Sequence, residues 1–332
     1  MSKAGFEFVE RAPKAELHIH IEGSLEPDLL LRLAEKNSVL LPYKTLEDVT
    51  RAYQFQDLQS FLDLYYLGAS VLVDEGDFYE LMWCYLCRCR NEGIVHTEIM
   101  FDPQTHTRRG VSLETVLSGF SRAIVKAEQE WQQSVLLIFC LLRDLPESDA
   151  IQTLTDARPL LQQITAVGLD SAEIGNPPAK FRKSFEMASS WGLRKVAHAG
   201  EEAGPELIRE TLRALAVERI DHGVQCIKDP ELVISLAETK IPLTVCPLSN
   251  IRLKVYDRLE QHPILKLLDA GVRVTVNSDD PAYFGGYLME NFRALDRSQG
   301  LTEIQARRLV RNSFSGSFLP HNRKTQYLDH LR

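Results

Sequence analysis

The feature that most constrains the fold of this 332-residue chain is the alternation of short apolar runs with longer amphipathic stretches. Continuous apolar strands that alternate with helices indicate a parallel sheet covered by helices on both faces. Eight such units in a chain of this length favour an α/β fold of the closed (β/α)8 TIM-barrel type over an open sheet. The predicted strands are Glu16–Glu22, Ile94–Phe101, Val135–Leu142, Ala166–Ala172, Lys195–Ala199, Arg219–Gly223, Ile241–Cys246 and Val272–Asn277.

One long segment interrupts the alternation between the first and second strands. Residues 24–93 contain several helical patterns, including Gln56–Val73. An insertion of that length after a barrel strand is usually functional, so we predict a helical cap over the mouth of the barrel. We expect residues 1–332 to form a single barrel domain. No G-x-G-x-x-G follows the first strand, which excludes the usual dinucleotide-binding site.

Composition and charge exclude several classes of partner. The formal charge of −8 argues against a nucleic-acid or membrane surface, which needs clustered Lys and Arg. No stretch approaches ~20 consecutive apolar residues, so we expect no membrane span. The six cysteines are not spaced as a disulfide framework, which favours reduced thiols and a cytoplasmic location. The sequence leaves the oligomeric state open.

Polar residues follow several of the predicted strands at their carboxyl ends, where barrel enzymes build their active sites. His residues at i and i+2 of a strand point to the same side and can reach one metal ion. Taken singly, each residue has an ordinary interpretation, such as a core histidine, a turn or a helix cap before Pro281. Their occurrence together at one end of the barrel favours a site. They are His18 and His20 on the first strand, His198 and Glu201 after the fifth, His222 after the sixth, and Asp279 and Asp280 after the eighth.

This set of side chains indicates metal-assisted hydrolysis. Three His and one Asp with an open position are typical of a catalytic zinc site. The metal lowers the pKa of its water to near neutral and so supplies hydroxide. The fourth strand, which ends Asp170-Ser171-Ala172-Glu173, has no lysine to bridge two metals. Its carboxylates keep a second metal possible, but we expect one.

Four sequence runs carry a family resemblance: Pro13–Gly23, His198–Glu201, Asp221–Gly223 and Ser278–Pro281. These runs resemble the motifs of the metal-dependent adenosine/adenine deaminases of the amidohydrolase superfamily and occur in the same order. The resemblance extends from Pro13 to about Ser315. The resemblance implies that zinc, with iron as the alternative, is held by His18, His20, His198 and Asp279. It implies that Glu201 protonates purine N1, that His222 orients and deprotonates the water, and that Asp280 bonds N7, with Gly200 also among the substrate contacts.

These roles agree with the chemistry of a purine. Attack at C6 pushes negative charge onto N1, so an acid must stand beside N1. Glu201 can serve as that acid only if burial raises its pKa. N7 is a hydrogen-bond acceptor, so Asp280 also needs a proton to bond it.

One position separates the possible purine substrates. Adenosine deaminases place glycine at the end of the fourth strand, whereas this chain has Glu173 there. A carboxylate would crowd a sugar on N9 and could accept a hydrogen bond from N9–H or N3–H of a free base. The alternative is that Glu173 points aside and pairs with Lys180 or Arg182. The segments Glu98–Gly110 and Pro177–Phe181 also resemble the adenine branch, so we predict a small purine base as ligand and conversion of adenine to hypoxanthine and ammonia in purine salvage.

Other functions stay open at this point. A substituent on N6, as in cytokinin-like bases, could lie against Phe61, Tyr65 and Tyr66 of the predicted cap. Adenosine is the third candidate substrate. A rival of another class is a deaminase-like barrel that has lost catalysis and serves as a binding module, but such a module should have an eroded site.

Overall fold

A computed structural model describes residues 4–55 and 57–331 of the chain. The described residues include eight parallel strands, and each strand pairs with the next in the order β1 to β8. This arrangement confirms the predicted (β/α)8 barrel. The strands are β1 Lys14–His20, β2 Ile94–Phe101, β3 Ser134–Leu142, β4 Ala166–Asp170, β5 Arg194–Ala199, β6 Arg219–His222, β7 Leu243–Val245 and β8 Val274–Val276.

Helices surround the barrel and fill the segment between β1 and β2. Short 3₁₀ turns cover Glu22–Ser24, Arg158–Gln163, Pro178–Phe181, Val224–Lys228 and Leu259–Gln261. The α-helices in the described residues are α1 Ala4–Arg11, α2 Pro27–Lys36, α3 Leu46–Ala52, α4 Leu58–Ala69, α5 Glu75–Glu92, α6 Pro103–Thr107, α7 Leu113–Trp131, α8 Glu147–Ala157, α9 Arg182–Ser190, α10 Pro205–Leu215, α11 Pro230–Thr239, α12 Pro247–Arg252, α13 Ile264–Asp269, α14 Pro281–Phe284, α15 Leu288–Gln299, α16 Glu303–Gly316 and α17 His321–His330.

The last two strands are shorter than predicted. We expected Ile241–Cys246 and Val272–Asn277, whereas β7 and β8 have three residues each. Pro242 has no N–H to donate to a ladder, which delays the start of β7. After β8, the backbone N–H of Asn277 donates to the carbonyl of Val245 at 2.9 Å, and the Asn277 side chain donates to the same carbonyl at 3.3 Å.

The helix predicted over Gln56–Val73 is also shorter. Gln56 lies outside the described residues, and α4 begins at Leu58. The side chain of Asp57 accepts the N–H of Ser60, and the Ser60 hydroxyl side chain accepts the N–H of Asp57 in return. This reciprocal capping satisfies free N–H groups of the first turn and fixes the start of the helix.

The sheet closes on itself at the end that carries the predicted site. Ile19 of β1 forms a parallel bridge with Asp279, which follows β8. The N–H of Asp279 donates to the carbonyl of His18, and the N–H of His20 donates to the carbonyl of Asp279. The closing hydrogen bonds of the barrel are therefore made by residues of the predicted metal site.

The opposite end of the barrel is filled by a buried ion pair. Glu98 of β2 lies 2.6 Å from a guanidinium nitrogen of Arg219 and 3.1 Å from Nε2 of His96. Burial alone would raise the pKa of Glu98, but Arg219 and His96 lower it to about 2. The backbone N–H of Phe318 also donates to Glu98. These contacts stabilise the closed end and leave the mouth as the place for chemistry.

Helix α4 covers the mouth of the barrel. The ring of Phe61 lies 4.7 Å from that of Phe284, measured between centroids, and packs against Tyr65 at 5.7 Å. The apolar face of α4 is thereby buried against α14, which follows the last strand. Within the described residues, no helix combines the length and apolar character needed to cross a bilayer.

Candidate active site

Five side chains at the mouth of the barrel form one buried cluster. The rings of His18, His198 and His222 lie 4.7 to 5.1 Å apart between centroids. Nε2 of His18 lies 3.2 Å from Oδ1 of Asp279, and Nε2 of His20 lies 3.2 Å from Nε2 of His198. The structure therefore brings together all four predicted metal ligands and the predicted base, from four different strand ends.

The cluster fits a metal ion. One ligand atom from each of His18, His198, His222 and Asp279 lies within 4.8 Å of the others. Nε2 of His18 is buried and has no hydrogen-bond partner among the described residues, as expected of a nitrogen whose lone pair faces a cation. Imidazole and carboxylate donors suit zinc and also other transition metals.

His20 belongs to the same cluster through one of its two ring nitrogens. Its Nε2 lies 3.6 Å from Oδ1 of Asp279, which places it beside the other ligand atoms. Its Nδ1 faces a second buried group, 3.7 Å from Asp170 and 4.0 Å from Asp102. The close group of four includes His222 and not His20, so the geometry holds five candidate ligands for the four that the sequence predicted.

Three members of the cluster have protonation states that suit a metal ligand set, whereas burial of His18, which would lower its pKa, is outweighed by the charge of Asp279, which raises it. Burial and the neighbouring imidazoles lower the pKa of His198 well below its usual value, and burial lowers that of His222 to about 3. Burial alone would raise the pKa of Asp279, but His18 holds it well below its usual range. The two imidazoles are therefore neutral and Asp279 is anionic at neutral pH, which are the forms that bind metal.

The backbone is strained where two of these side chains are presented. Asp279 has φ +66° and His222 has φ +62°, in the left-handed region that non-glycine residues rarely adopt. Glu16 fixes the backbone next to Asp279, because its Oε1 accepts the N–H of Ser278 at 2.9 Å and the Ser278 hydroxyl at 2.6 Å. Strained residues fixed by surrounding hydrogen bonds are common at active sites.

Two buried carboxyls beside the cluster have raised pKa values. Burial, with the charge of Asp279 adding to it, raises the pKa of both Glu201 and Asp280 well above the usual range. Both line the cavity at the mouth. A raised pKa favours the protonated form, in which each carboxyl can donate a proton or a hydrogen bond.

Asp280 is not a helix cap, which was the ordinary interpretation of an Asp before Pro281. Its side chain makes no capping hydrogen bond to α14, and its buried Oδ1 has no partner among the described residues. A Cβ at position 23 would lie 1.9 Å from that oxygen, so Gly23 is required for the carboxyl to sit there. Asp280 is available to a ligand.

Glu173 lies at the cavity wall and bonds to the loop that carries Glu201. Its carboxylate accepts the backbone N–H groups of Glu201 at 3.2 Å, Glu202 at 3.1 Å and Ala203 at 2.7 Å. The alternative pairing with Lys180 is not what the structure has, because that ammonium donates to the carbonyl of Arg143 at 2.9 Å. The sequence did not reveal this anchoring by backbone amides.

Gly200 is the one predicted contact that lies apart from the cavity wall. The described residues that line the cavity do not include it. It has φ +74°, and a Cβ there would lie 2.4 Å from Cδ1 of Ile208. The backbone conformation and the close approach of Ile208 therefore explain why position 200 is glycine. Its contact with substrate stays a prediction.

The cavity itself has a volume of about 50 Å³. One wall is apolar and comes largely from α4, and the opposite wall is the polar cluster. An apolar enclosure with a few convergent polar groups is the usual form of a small-molecule site. Its apolar and aromatic lining residues are Leu58, Phe61, Leu62, Tyr65, Tyr66, Leu142, Leu253 and Phe284.

A larger groove of about 840 Å³ lies at the other end of the barrel, beside the first residues of β2 and β3. Its walls include Trp131 and Tyr327, with one carboxylate, Glu128, and one imidazole, His330. It has no convergent set of ligands or acids in the described residues. The convergent polar groups therefore lie at the small cavity and not in the large groove.

Comparison with known proteins identifies a family and several relatives of this chain. The adenosine deaminase family model matches residues 13–332. A relative from Hahella chejuensis named adenine deaminase is 53% identical over 325 residues, which cover 98% of this chain and 97% of the relative. One from Wolinella succinogenes with the same name is 51% identical over 325 residues, or 98% of each chain. The crystal structure of adenine deaminase from Arthrobacter aurescens is 46% identical with a TM-score of 0.94, covering 96% of this chain and 98% of that one.

The chain belongs to the adenosine deaminase family. It is a hydrolytic deaminase with an amidohydrolase-type barrel.

Proposed function

We propose that this protein is a cytoplasmic adenine deaminase that converts adenine and water to hypoxanthine and ammonia in purine salvage, with one zinc ion per chain. The observation that carries the proposal is the presence of two buried carboxyls with raised pKa, Glu201 and Asp280, in the same cavity as the imidazole–carboxylate cluster. Relatives of 53% and 51% identity that are named adenine deaminase support the choice of substrate.

His18, His20, His198 and Asp279 would hold the metal. A zinc ion bound there would supply a water whose pKa is lowered to near neutral. The remaining residues handle the protons. His222 takes a proton from the attacking water, and Glu201 delivers its proton to N1 as the C6–O bond forms. The C6–N bond then breaks as the amino group takes the proton from His222, and the remaining hydroxyl proton restores Glu201.

The same cavity orients the purine. Protonated Asp280 donates to N7, which has only a lone pair to offer. A carboxylate has about four lone-pair positions, and backbone amides occupy three of those on Glu173. The fourth can accept N9–H or N3–H of a free base. A sugar on N9 has no such hydrogen to donate and would be crowded by the carboxylate.

The second candidate substrate is an N6-substituted adenine. Phe61, Tyr65 and Tyr66 all line the cavity, so an apolar substituent would have aromatic neighbours. The chemistry at C6 would be unchanged, because the bond that breaks is the same C6–N bond.

The test is kcat/KM for adenine, N6-isopentenyladenine and adenosine on zinc-loaded protein. The readout is release of ammonia or, for the substituted base, of the substituted amine. We expect adenine to be the best substrate. If the substituted base is the best substrate, the proposed substrate becomes a modified purine. If adenosine is the best substrate, the proposed role of Glu173 is contradicted. No release from any substrate would favour a binding module, and a lack of stoichiometric metal would support that conclusion.

A further inference from the structure

A buried amide lies directly behind the two groups that move protons. Asn250 of α12 is fully buried, and its Nδ2 donates to Oε1 of Glu201 at 3.0 Å. The same nitrogen lies 3.3 Å from Nδ1 of His222, which is itself 3.5 Å from Oε1 of Glu201. Asn250 is not among the described residues that line the cavity, so it reaches substrate only through these neighbours.

The orientation of this amide is settled by a histidine on its far side. The backbone N–H of Ile264 donates to Nδ1 of His262 at 3.3 Å, so Nδ1 carries the ring's lone pair. Burial lowers the pKa of His262 to about 3, so the ring is neutral and its proton is on Nε2. That N–H donates to Oδ1 of Asn250 at 3.1 Å. The amide oxygen of Asn250 therefore faces His262, and its NH₂ group faces Glu201.

We infer that Asn250, held in this orientation by His262, is a positioning residue that fixes the side chain of Glu201 with its acid proton on Oε2. A neutral carboxyl has one O–H donor and one acceptor oxygen. Because Oε1 accepts the N–H of Asn250, the proton resides on Oε2, which is free to face N1. The inference rests on the proposed function, since it assigns Glu201 a proton to deliver.

The main chain of Glu201 has its own, separate support. Its N–H donates to Glu173, and its carbonyl accepts Nε2 of Gln225 at 3.0 Å. The loop should therefore stay in place when Asn250 is changed. What Asn250 adds is control of the carboxyl group, which is the part that reacts.

The first experiment replaces Asn250 by leucine, which is close in size and cannot donate, in the zinc-loaded enzyme. We expect kcat for adenine to fall by roughly 10- to 100-fold, because one hydrogen bond to the reacting group is lost. KM should stay within about threefold and zinc content should not change. The matched control is Ser249→Ala on the same helix, because the buried Ser249 hydroxyl has no partner in the described residues. Its kcat should stay within about twofold of wild type.

A double-mutant cycle separates positioning from a general structural effect. If Asn250 acts through Glu201, Asn250→Leu should cause little further loss of kcat when Glu201 is already Gln. A structural effect would instead lower kcat by the same factor whether residue 201 is Glu or Gln. Multiplied losses, or an Asn250→Leu enzyme within about twofold of wild type, would overturn the inference.

A second pair of variants keeps the inference testable if Asn250→Leu does not fold. The amide nitrogen of Gln can take the place of His Nε2, so His262→Gln should keep most of kcat. His262→Leu removes the donor and should lower kcat by about 5- to 10-fold with KM little changed. Equal kcat values for the two His262 variants would overturn the inference. Failure of the proposed function is distinct, because wild type itself would then release no ammonia from adenine.

Discussion

Oγ1 of Thr244 lies 3.1 Å from Nδ1 of His18 and donates its own hydrogen to Oδ1 of Asp221 at 2.7 Å. Because that hydroxyl hydrogen is already used, Oγ1 can only accept a hydrogen bond from His18. The proton of His18 is thereby fixed on Nδ1, and the lone pair of Nε2 is directed at the metal position. Residues that fix the tautomer of a ligating histidine commonly strengthen metal binding.

Replacing Thr244 by valine removes this hydrogen bond at nearly constant shape. We expect the affinity for zinc to fall by about 10- to 100-fold while the fold is retained. Competition with a chelator of known affinity measures the change. Thr211→Val, a buried threonine on α10, is the control. An affinity equal to that of wild type would show that the Thr244 hydroxyl is not needed, and that the Thr244 carbonyl, 3.3 Å from the same Nδ1, is enough to fix the His18 tautomer.

Glu173→Gly tests what this carboxylate does for substrate choice. The change removes the acceptor for three backbone N–H groups and the proposed contact with N9–H or N3–H. We expect kcat/KM for adenine to fall by about 10-fold or more, and the value for adenosine to rise relative to it. Steady-state kinetics on both substrates give the ratio. Adenine kinetics like those of wild type would remove the main support for a free base as substrate.

Lys14 gives a prediction about pH and stability. Its buried ammonium donates to the carbonyls of Val9 and Ala12, and burial lowers its pKa from 10.5 to about 8. Between these two values the unfolded chain binds more protons than the folded one, so the contribution of Lys14 to the free energy of unfolding rises with pH.

The measurement is the free energy of unfolding by urea at pH 7 and pH 10. Compared with Lys14→Met, wild type should gain about 2 kcal/mol between these two values. The comparison with the variant removes the contribution of other groups that titrate in this range. A constant difference between the two proteins would show that Lys14 keeps an ordinary pKa.

The barrel could be predicted from sequence because each strand is a short, nearly continuous apolar run. The grouping of the site residues followed from it, since parallel strands in a barrel end at the same rim and bring the predicted ligands His18, His20, His198 and Asp279 together with His222. The predicted β7 and β8 were too long, because an apolar run does not show where regular backbone pairing begins and stops; Pro242, for example, has no N–H to donate to a ladder.

The residues that hold the catalytic groups could not be read from the chain. Thr244 lies inside a strand and has no feature that sets it apart from other strand residues. His262 lies between the 3₁₀ turn Leu259–Gln261 and helix α13, in no recognisable motif. Asn250 comes shortly after a strand end, which is a weak signal of a place near the site. Their roles depend on which atoms face each other after folding, as does the left-handed backbone of Asp279.

The measurement that tests the account most directly compares wild type with Glu201→Gln at equal zinc content. The account predicts that wild type releases ammonia from adenine and that the variant keeps its zinc but loses about 10²-fold or more in kcat, because Gln has no proton to give to N1. Near-normal turnover by the zinc-loaded variant would contradict the assignment of Glu201 as the acid. No ammonia from the wild-type enzyme would contradict the proposed function itself.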